Sequence, residues 1–203
     1  MITAAVVLAA GKSERMRKNK LLLKLGRKRL IDHNLDALEA LNIDEIVVVL
    51  GHDPEEIVNV LKTRLNHMRI VINKEYENGM SSSFKTGLKE IKNAEVVLLV
   101  LGDQPIFDSH LIKRMFKLME EKKGSALIIS PIYKGKKGHP ILFSMKLFEE
   151  ILNLNKNKTI RDIVHRHVDA LLTIEAENWT VIDIDTPLDL KKAEGLLKST
   201  HAN

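Results

Sequence analysis

Residues 96–103 read Val-Val-Leu-Leu-Val-Leu-Gly-Asp, a run of six apolar residues that ends in a glycine and an acid. Unbroken apolar runs of this length are typical of strands buried on both faces, as parallel strands are when helices cover each side of the sheet. Residues 47–50, Val-Val-Val-Leu, have the same character. The two runs therefore predict a largely parallel sheet between two layers of helices.

Short apolar runs alternate with amphipathic stretches along the whole chain. We predict strands at 4–8, 45–50, 69–72, 95–101, 126–130 and 170–174, and helices at 30–41, 54–65, 81–91, 109–122 and 187–197. The fourth helix is the clearest, because its apolar positions 111, 112, 115, 116 and 119 share one helical face. This alternation predicts an α/β fold built as a three-layer sandwich.

The pattern loosens at residues 131–143, where glycines and a proline stand among basic residues. We predict an insertion or hairpin over the sheet edge there, rather than a second domain. Residues 1–198 are accordingly expected to form one domain, followed by a frayed tail at 199–203.

Composition excludes several classes of protein. The 203 residues are 44% hydrophobic and carry a formal net charge of +5, but only 4% are aromatic and none is cysteine. The basic charge suits anionic substrates, whereas the scarcity of aromatic residues and the lack of a recognisable motif argue against nucleic-acid binding. We expect no disulfide, no membrane span and no signal peptide, which is compatible with a cytoplasmic protein.

The loop after the first predicted strand is the first candidate ligand site, because α/β sheets bind ligands beyond the carboxyl ends of their strands. Residues 8–16 read Leu-Ala-Ala-Gly-Lys-Ser-Glu-Arg-Met, and Lys20 follows. Small residues let backbone N–H groups approach phosphate, and Arg15 and Lys20 add positive charge. The loop is neither a P-loop nor a dinucleotide fingerprint, since glycine is missing from positions 6, 13 and 16. A tight turn with solvated basic neighbours therefore stays open as an alternative.

Four further segments lie where this fold binds ligands, and each also has a purely structural interpretation. Residues 78–83, Asn-Gly-Met-Ser-Ser-Ser, can bind an anion at a helix start or simply cap the helix. Residues 102–105, Gly-Asp-Gln-Pro, present a carboxylate for a hard cation or for a turn. The two acids in Asp-Ile-Asp-Thr-Pro, residues 183–187, can ligate metal or cap a helix, and Gly-His-Pro at 138–140 can be structural.

Taken in order, the five segments resemble the molybdenum cofactor cytidylyltransferase branch of the MobA-like NTP transferase family. The resemblance runs from the first strand to the last helix. It implies a Rossmann-like nucleotide-diphospho-sugar transferase fold with a mostly parallel sheet. It also implies transfer of CMP from CTP to molybdenum cofactor with release of pyrophosphate, dependent on Mg²⁺ or alternatively Mn²⁺.

The resemblance also implies roles for individual residues. Arg15, Lys20 and Asp103 would be catalytic, and Asp103 and Asp185 would ligate the metal, with Asp183 in reserve. Gln104, Gly138 and His139 would contact the molybdopterin-type acceptor. The residues implied in nucleotide binding are Leu8, Ala9, Ala10, Gly11, Lys20, Gly79, Met80, Ser81, Ser83 and Asp103.

Two positions depart from the family pattern, and three other functions stay open. Arg17 stands where the family usually has glycine, and Lys24 where it usually has proline. A guanylyltransferase usually has a Gly-Gly pair in the first loop, where this chain has Ala10 and Gly11, which favours CTP. Transfer to another small phosphorylated acceptor is the second alternative, and a non-catalytic nucleotide-binding regulatory module is the third. A molybdoenzyme or its chaperone is the expected recipient of the product.

Overall fold

The computed structural model describes residues 1–16 and 18–200. Arg17, one of the two departures from the family pattern, lies outside the described residues, as do residues 201–203 of the predicted tail. The strands are β1 (Thr3–Ala9), β2 (Lys24–Leu25), β3 (Lys28–Arg29), β4 (Glu45–Leu50), β5 (Arg69–Ile72), β6 (Val96–Leu101), β7 (Ile128–Tyr133), β8 (Lys136–Lys137), β9 (Ile141–Ser144) and β10 (Leu171–Glu175).

Eight of these strands form one sheet in the order β10-β7-β9-β6-β1-β4-β5, with β8 paired to β7, while β2 and β3 form a separate hairpin. The pairs that involve β1, β4, β5 and β6 alone are parallel, as is the β7–β10 pair. The apolar runs at 47–50 and 96–101 lie in β4 and β6, which are the two direct neighbours of β1 in the sheet. A mostly parallel sheet is therefore confirmed.

Seven α-helices of the described residues cover the sheet. They are α1 (Leu30–Ala40), α2 (Pro54–Leu61), α3 (Met80–Leu88), α4 (Ser109–Glu121), α5 (Phe148–Leu152), α6 (Ile160–Arg166) and α7 (Pro187–Thr200). Two core clusters lie on opposite faces, because alternate residues of β1 such as Val6 and Val7 enter different clusters. The cluster containing Val7 packs against α1, α2, α4 and α7, and the cluster containing Val6 against α3, α5 and α6. This arrangement is the predicted three-layer α/β sandwich.

Within the described part of the chain, none of the helices combines the length and the apolar character that a membrane crossing needs.

The sequence prediction for residues 131–143 was right about a hairpin, since β7 and β8 pair antiparallel, but wrong about the sheet edge. The residues that follow this hairpin form β9, which lies inside the sheet, antiparallel to both β6 and β7. The apolar side chains of Leu142 and Phe143 are fully buried there, one in each core cluster. Helices α5 and α6 were missed, and α7 continues to Thr200, into the segment expected as a tail.

The central strands position one end of the sheet for ligands. Leu8 of β1 lies opposite Leu101 of β6 in parallel register, so the loops that follow them leave the sheet side by side. The backbone N–H of Gly102 donates to the carbonyl of Leu8 at 2.9 Å. A Cβ atom at Gly102 would lie 2.8 Å from that carbonyl oxygen, so only glycine lets the two loops approach this closely.

Gly87 tests how tightly α3 packs on the sheet. A Cβ atom there would contact the Val6 side chain and lie 2.8 Å from Val49 Cγ2. We expect Gly87→Ala to lower the free energy of unfolding by about 1–3 kcal/mol, because overpacking displaces neighbouring side chains. Urea denaturation measures this change.

Gly195→Ala is the matched control, since Gly195 lies in α7 with open space around its Cα. We expect this change to raise the free energy of unfolding by about 0.5–1 kcal/mol, through helix propensity alone. Equal effects of the two substitutions would contradict the close approach of α3 to β1 and β4.

Candidate active site

The loop after β1 is fixed by its own polar groups. Ser13 adopts a positive φ of 54°, and its carbonyl accepts a hydrogen bond from the Met16 N–H at 3.0 Å. The Ser13 hydroxyl accepts from the Lys20 N–H at 3.2 Å. Asn19 then caps the short 3-10 helix at 20–22 by accepting from the Leu21 N–H at 3.2 Å. These bonds fix the backbone of Lys20 at the carboxyl end of the sheet.

The side chain of Lys20 joins two acids that are distant in sequence. Its ammonium lies 2.6 Å from Asp103 Oδ2 and 2.6 Å from Asp185 Oδ1. Arg15 Nη2 reaches the other carboxylate oxygen of Asp185 at 2.6 Å. The Lys20 side chain is 10% exposed and the Arg15 side chain 68%, so the first cation is enclosed and the second lies on the rim. Four residues predicted to act in the site therefore form one cluster.

The cluster holds Lys20 and Asp185 in their charged forms. Burial would lower the pKa of Lys20, but the charges and hydrogen bonds of Asp103 and Asp185 outweigh it and raise that pKa above its ordinary value. Burial likewise opposes ionisation of Asp185, yet the hydrogen bond and charge of Lys20, with help from Arg15, lower the pKa of that carboxyl. Both groups are thus ionised at neutral pH.

Backbone contacts place Asp185, rather than Asp183, beside Lys20. The Ile184 N–H donates to the Asp103 carbonyl at 3.0 Å, which ties the two acidic segments together. Asp183 points elsewhere, and its Oδ1 accepts from Gln104 Nε2 at 2.5 Å. Thr186 caps α7, because its hydroxyl and N–H both donate to Asp189 Oδ2, at 2.7 and 3.0 Å.

Two adjoining cavities open beside this cluster. The first, of about 360 Å³, lies on the side of the basic loop and is lined by Leu8, Ala9, Gly11, Lys12, Ser13, Glu14, Arg15, Lys20, Leu21, Asp103 and Asp185. The second, of about 520 Å³, lies between that loop and the start of α3, and is lined by Leu8, Ala10, Gly11, Lys12, Tyr76, Glu77, Gly79, Met80, Ser83, Leu101, Asp103, Asp183 and Asp185. The cluster therefore stands where the two cavities meet, and together they form one cleft.

Nine of the ten residues implied in nucleotide binding by resemblance line the cleft, and Ser81 is the exception. Ser81 lies differently, since its hydroxyl accepts from the Ile160 N–H at 3.0 Å and its side chain lines a separate cavity. Ser83 is buried, and its hydroxyl accepts from Asn73 Nδ2 at 3.0 Å.

Of the residues implied in acceptor binding, Gly138 and His139 lie between β8 and β9, and Gln104 follows Asp103 in the loop after β6. None of these three residues lines either of the two cavities. Gln104 is buried. The backbone N–H of Gly138 donates to the Pro131 carbonyl at 2.9 Å, and that of His139 to the Thr180 carbonyl at 2.8 Å. Desolvation lowers the pKa of His139 to about 4, although the negative charge of Asp103 opposes the shift. The imidazole is therefore neutral at pH 7.

Sequence reasoning missed several residues that line the cleft, among them Lys12, Tyr76 and Glu77. Lys12 and Glu77 form an ion pair of 2.7 Å between the first loop and the segment before α3. Tyr76 packs on Gly51, where a Cβ atom would lie 2.6 Å from the tyrosine Cβ. Charged residues in loops are common, and Gly51 and Tyr76 are far apart in sequence, so no local pattern indicated these contacts.

The donor set fits a hard divalent cation. Among the described residues no group of three or more His, Cys, Asp or Glu side chains could hold a metal on protein ligands alone. Two carboxylate oxygens nevertheless converge on one ammonium, each at 2.6 Å. Magnesium in phosphate-transfer sites is commonly bound by one or two carboxylates, with substrate phosphates and water completing its shell. Asp103 and Asp185 have the oxygen donors and the proximity that such a pair requires.

Comparison with solved structures places this geometry in a known fold. Mth528, a nucleotidyl transferase from Methanothermobacter, superposes with a TM-score of 0.81 at 22% identity, covering 98% of this chain and 99% of that one. The manganese complex of Rv0371c from Mycobacterium tuberculosis superposes with a TM-score of 0.75 at 22% identity, covering 96% and 98%. The predicted nucleotide-diphospho-sugar transferase fold is confirmed by such neighbours.

Sequence comparison identifies the family. The bifunctional protein GlmU of Staphylococcus haemolyticus is 29% identical over 129 residues, which is 62% of this chain but only 28% of that protein. The chain thus spans less than a third of the curated relative it matches. Residues 5–171 match the model of the MobA-like NTP transferase domain, well over half of the chain. The protein that carries this cleft is therefore a member of the MobA-like NTP transferase family.

Proposed function

We propose that this protein transfers CMP from CTP to molybdenum cofactor and releases pyrophosphate. One observation carries the proposal: in an NTP transferase domain, Lys20 and Arg15 meet Asp103 and Asp185 where two cavities of one cleft join. The choice of CTP and of a molybdopterin-type acceptor rests on the resemblance of the five sequence segments. As part of the same proposal, the protein acts in the cytoplasm and passes its product to a molybdoenzyme or its chaperone.

The proposed reaction is an in-line displacement at the α-phosphorus of CTP. An oxygen of the acceptor's terminal phosphate forms a bond to that phosphorus, the bond to the bridging oxygen breaks, and pyrophosphate leaves with the electron pair. The attacking oxygen is already anionic, so the reaction requires no general base. Catalysis then depends on positioning and on neutralising charge.

The two cations are suited to different parts of that task. Lys20 is enclosed and held by two carboxylates, so it presents a fixed charge to the α-phosphate. Arg15 is mostly exposed, and its planar guanidinium can follow the leaving pyrophosphate. Asp103 and Asp185 would hold Mg²⁺ or Mn²⁺, which supplies further neutralisation of phosphate charge when bound. The manganese complex of a structural neighbour is consistent with this choice of ion.

The nucleoside would occupy the larger cavity, between the first loop and the start of α3. Leu8, Ala10 and Gly11 form one wall of this cavity, and Gly79, Met80 and Ser83 form the opposite wall. Ala9 lines the adjoining cavity, where the triphosphate would lie. Because the Ser81 hydroxyl is already bonded to Ile160, we confine the role of Ser81 to its backbone N–H in the first turn of α3.

The acceptor would approach from the side of Gln104, Gly138 and His139. Because His139 is neutral at pH 7, it would recognise the acceptor by hydrogen bonding rather than by charge. Gln104 is buried against Asp183, which orients its amide. Asp183 would therefore act on the acceptor side, and it remains the second choice as a metal ligand.

The three acids can be separated by substitution. We expect Asp103→Asn and Asp185→Asn each to lower kcat by about 10²–10³-fold, because each removes a charge that acts on the transition state. Asp183→Asn is the control and should lower kcat far less, since it faces Gln104 rather than Lys20. Pyrophosphate release under saturating substrates measures all three, and undiminished turnover by Asp103→Asn would contradict the assignment.

Replacing Lys20 should change the binding of an anion and of a metal ion in opposite directions. We expect Lys20→Met to weaken the binding of tripolyphosphate, because a positive charge is lost. The same change should tighten the binding of Mn²⁺ to the nucleotide-free protein, because in the original protein the ammonium of Lys20 neutralises the carboxylate oxygens of Asp103 and Asp185 that would bind the ion. Titration calorimetry with each ligand alone separates the two effects. Lys12→Met, which removes the cation paired with Glu77, should leave Mn²⁺ affinity unchanged. Weaker Mn²⁺ binding in Lys20→Met would show that the acids do not form the metal site.

The substrate assignment is tested by pyrophosphate release with Mg²⁺ and molybdenum cofactor, comparing CTP, GTP, ATP and UTP at equal concentration. We expect a clear preference for CTP. A preference for GTP would retain the mechanism and replace the base assignment with a guanylyltransferase. Release only with another phosphorylated acceptor would replace the acceptor, and nucleotide binding without release under any condition would indicate a regulatory module.

A further inference from the structure

Asn34, in the second turn of α1, is a polar residue with no solvent exposure at all. Its amide makes three hydrogen bonds, all to the loop that follows β6. Nδ2 donates to the carbonyls of Leu101 and Gly102 at 3.1 and 3.3 Å, and Oδ1 accepts from the Ile106 N–H at 2.9 Å. One side chain thus joins the beginning of this loop to its end.

Asp103 lies between the two points that Asn34 joins. The loop leaves β6 at Leu101 and returns to the core at Ile106, which is buried. The loop is also anchored by the Gly102 N–H, which donates to the Leu8 carbonyl, and by the Ile184 N–H, which donates to the Asp103 carbonyl. The Asp103 backbone is therefore held from α1 on one side and from the segment of Asp185 on the other.

The chemistry of Asn34 suits this position specifically. Bridging two carbonyls and one N–H requires a group that both donates and accepts within one short side chain, which is a property of the asparagine amide. An aspartate of the same shape would accept from Ile106 but would face two carbonyls with an oxygen. A serine would be too short to reach both ends of the loop.

We propose that Asn34 is the positioning residue for Asp103: by closing the loop at 101–106, it sets the distance between the carboxylates of Asp103 and Asp185 and hence their affinity for a divalent cation. This inference rests on the proposed function, since it assumes that those two acids bind the metal. Outer-shell partners that orient a metal-binding carboxylate typically change metal affinity or activity about 10–100-fold when they are replaced.

The test is Mn²⁺ binding by the full chain without nucleotide, measured by the electron paramagnetic resonance signal of free Mn²⁺. We expect Asn34→Ser to weaken binding about 10–100-fold. Asn34→Asp keeps the side-chain volume and the hydrogen bond from the Ile106 N–H, and it should also weaken Mn²⁺ binding. This variant replaces Asn34→Ser in the test if the serine variant does not fold. In turnover assays kcat should fall while KM for the nucleotide stays close to its original value, because the nucleotide is held mainly by the loop after β1.

Asp32→Ala is the matched control on the same helix. Asp32 forms the capping box of α1 with Arg29, so its loss should destabilise α1 without touching the loop after β6. We expect its Mn²⁺ affinity to match that of the original protein. If folded Asn34→Ser also binds Mn²⁺ normally, Asn34 has a structural role alone and the proposal is overturned.

Asp103→Asn separates failure of this inference from failure of the proposed function. Mn²⁺ binding that is unaffected by Asp103→Asn would overturn the metal site and, with it, the role of Asn34. If Asp103→Asn weakens binding to a level that can still be measured, the double variant with Asn34→Ser should show no additional loss, because the carboxylate that Asn34 positions is already gone. An additional loss in the double variant would show that Asn34 acts on the metal independently of Asp103.

Discussion

The ammonium of Lys20, shared at 2.6 Å by Asp103 and Asp185, is the interaction on which the candidate site depends. Two carboxylates that converge in a partly enclosed place repel one another and lose hydration, so they need a cation between them. Lys20 supplies it, and Arg15 balances the remaining charge. The protein thus carries within itself the positive charge that its acids require.

Sheet topology explains why these side chains can meet. Strands β1 and β6 are parallel neighbours, so the basic loop and the loop of Asp103 emerge at the same edge. Gly102 lets the two loops touch, because no side chain separates its backbone from Leu8. Asp185 is then placed by the bond from Ile184 to Asp103. Each acid is positioned through backbone groups, which leaves both carboxylates available to the cleft.

Much of the fold could be predicted from the sequence because the signals are local. Unbroken apolar runs marked β4 and β6, and helical spacing of apolar residues marked α4. The place of β9 could not be predicted in this way. Its four residues form a strand between β6 and β7 only through pairing partners that are more than a dozen residues away in sequence. The short helices α5 and α6 were missed because five to seven residues give too little periodicity.

The residues of the candidate site likewise fall into those that local sequence motifs indicate and those that only the folded chain brings together. Residues carried by contiguous motifs, such as Lys20 and Asp103, were identified by sequence, whereas Asn34 was not. Within α1 it is one polar residue in an amphipathic helix, and only the folded chain shows that it is fully buried against the loop after β6. Ser81 shows the converse, since its motif indicated a ligand and its hydroxyl bonds the backbone of α6 instead.

The span of sequence between Lys20 and Asp185 has a thermodynamic consequence. The two residues are 165 positions apart, so the cluster exists only when the first and last segments of the domain are packed on the same sheet. A ligand bound at this cluster therefore recognises the native state and not a partly folded one. By mass action such a ligand shifts the folding equilibrium of the whole domain, by about 2.7 kcal/mol at a concentration of one hundred times its Kd. Ligand binding in the cleft and folding of the domain are therefore thermodynamically linked.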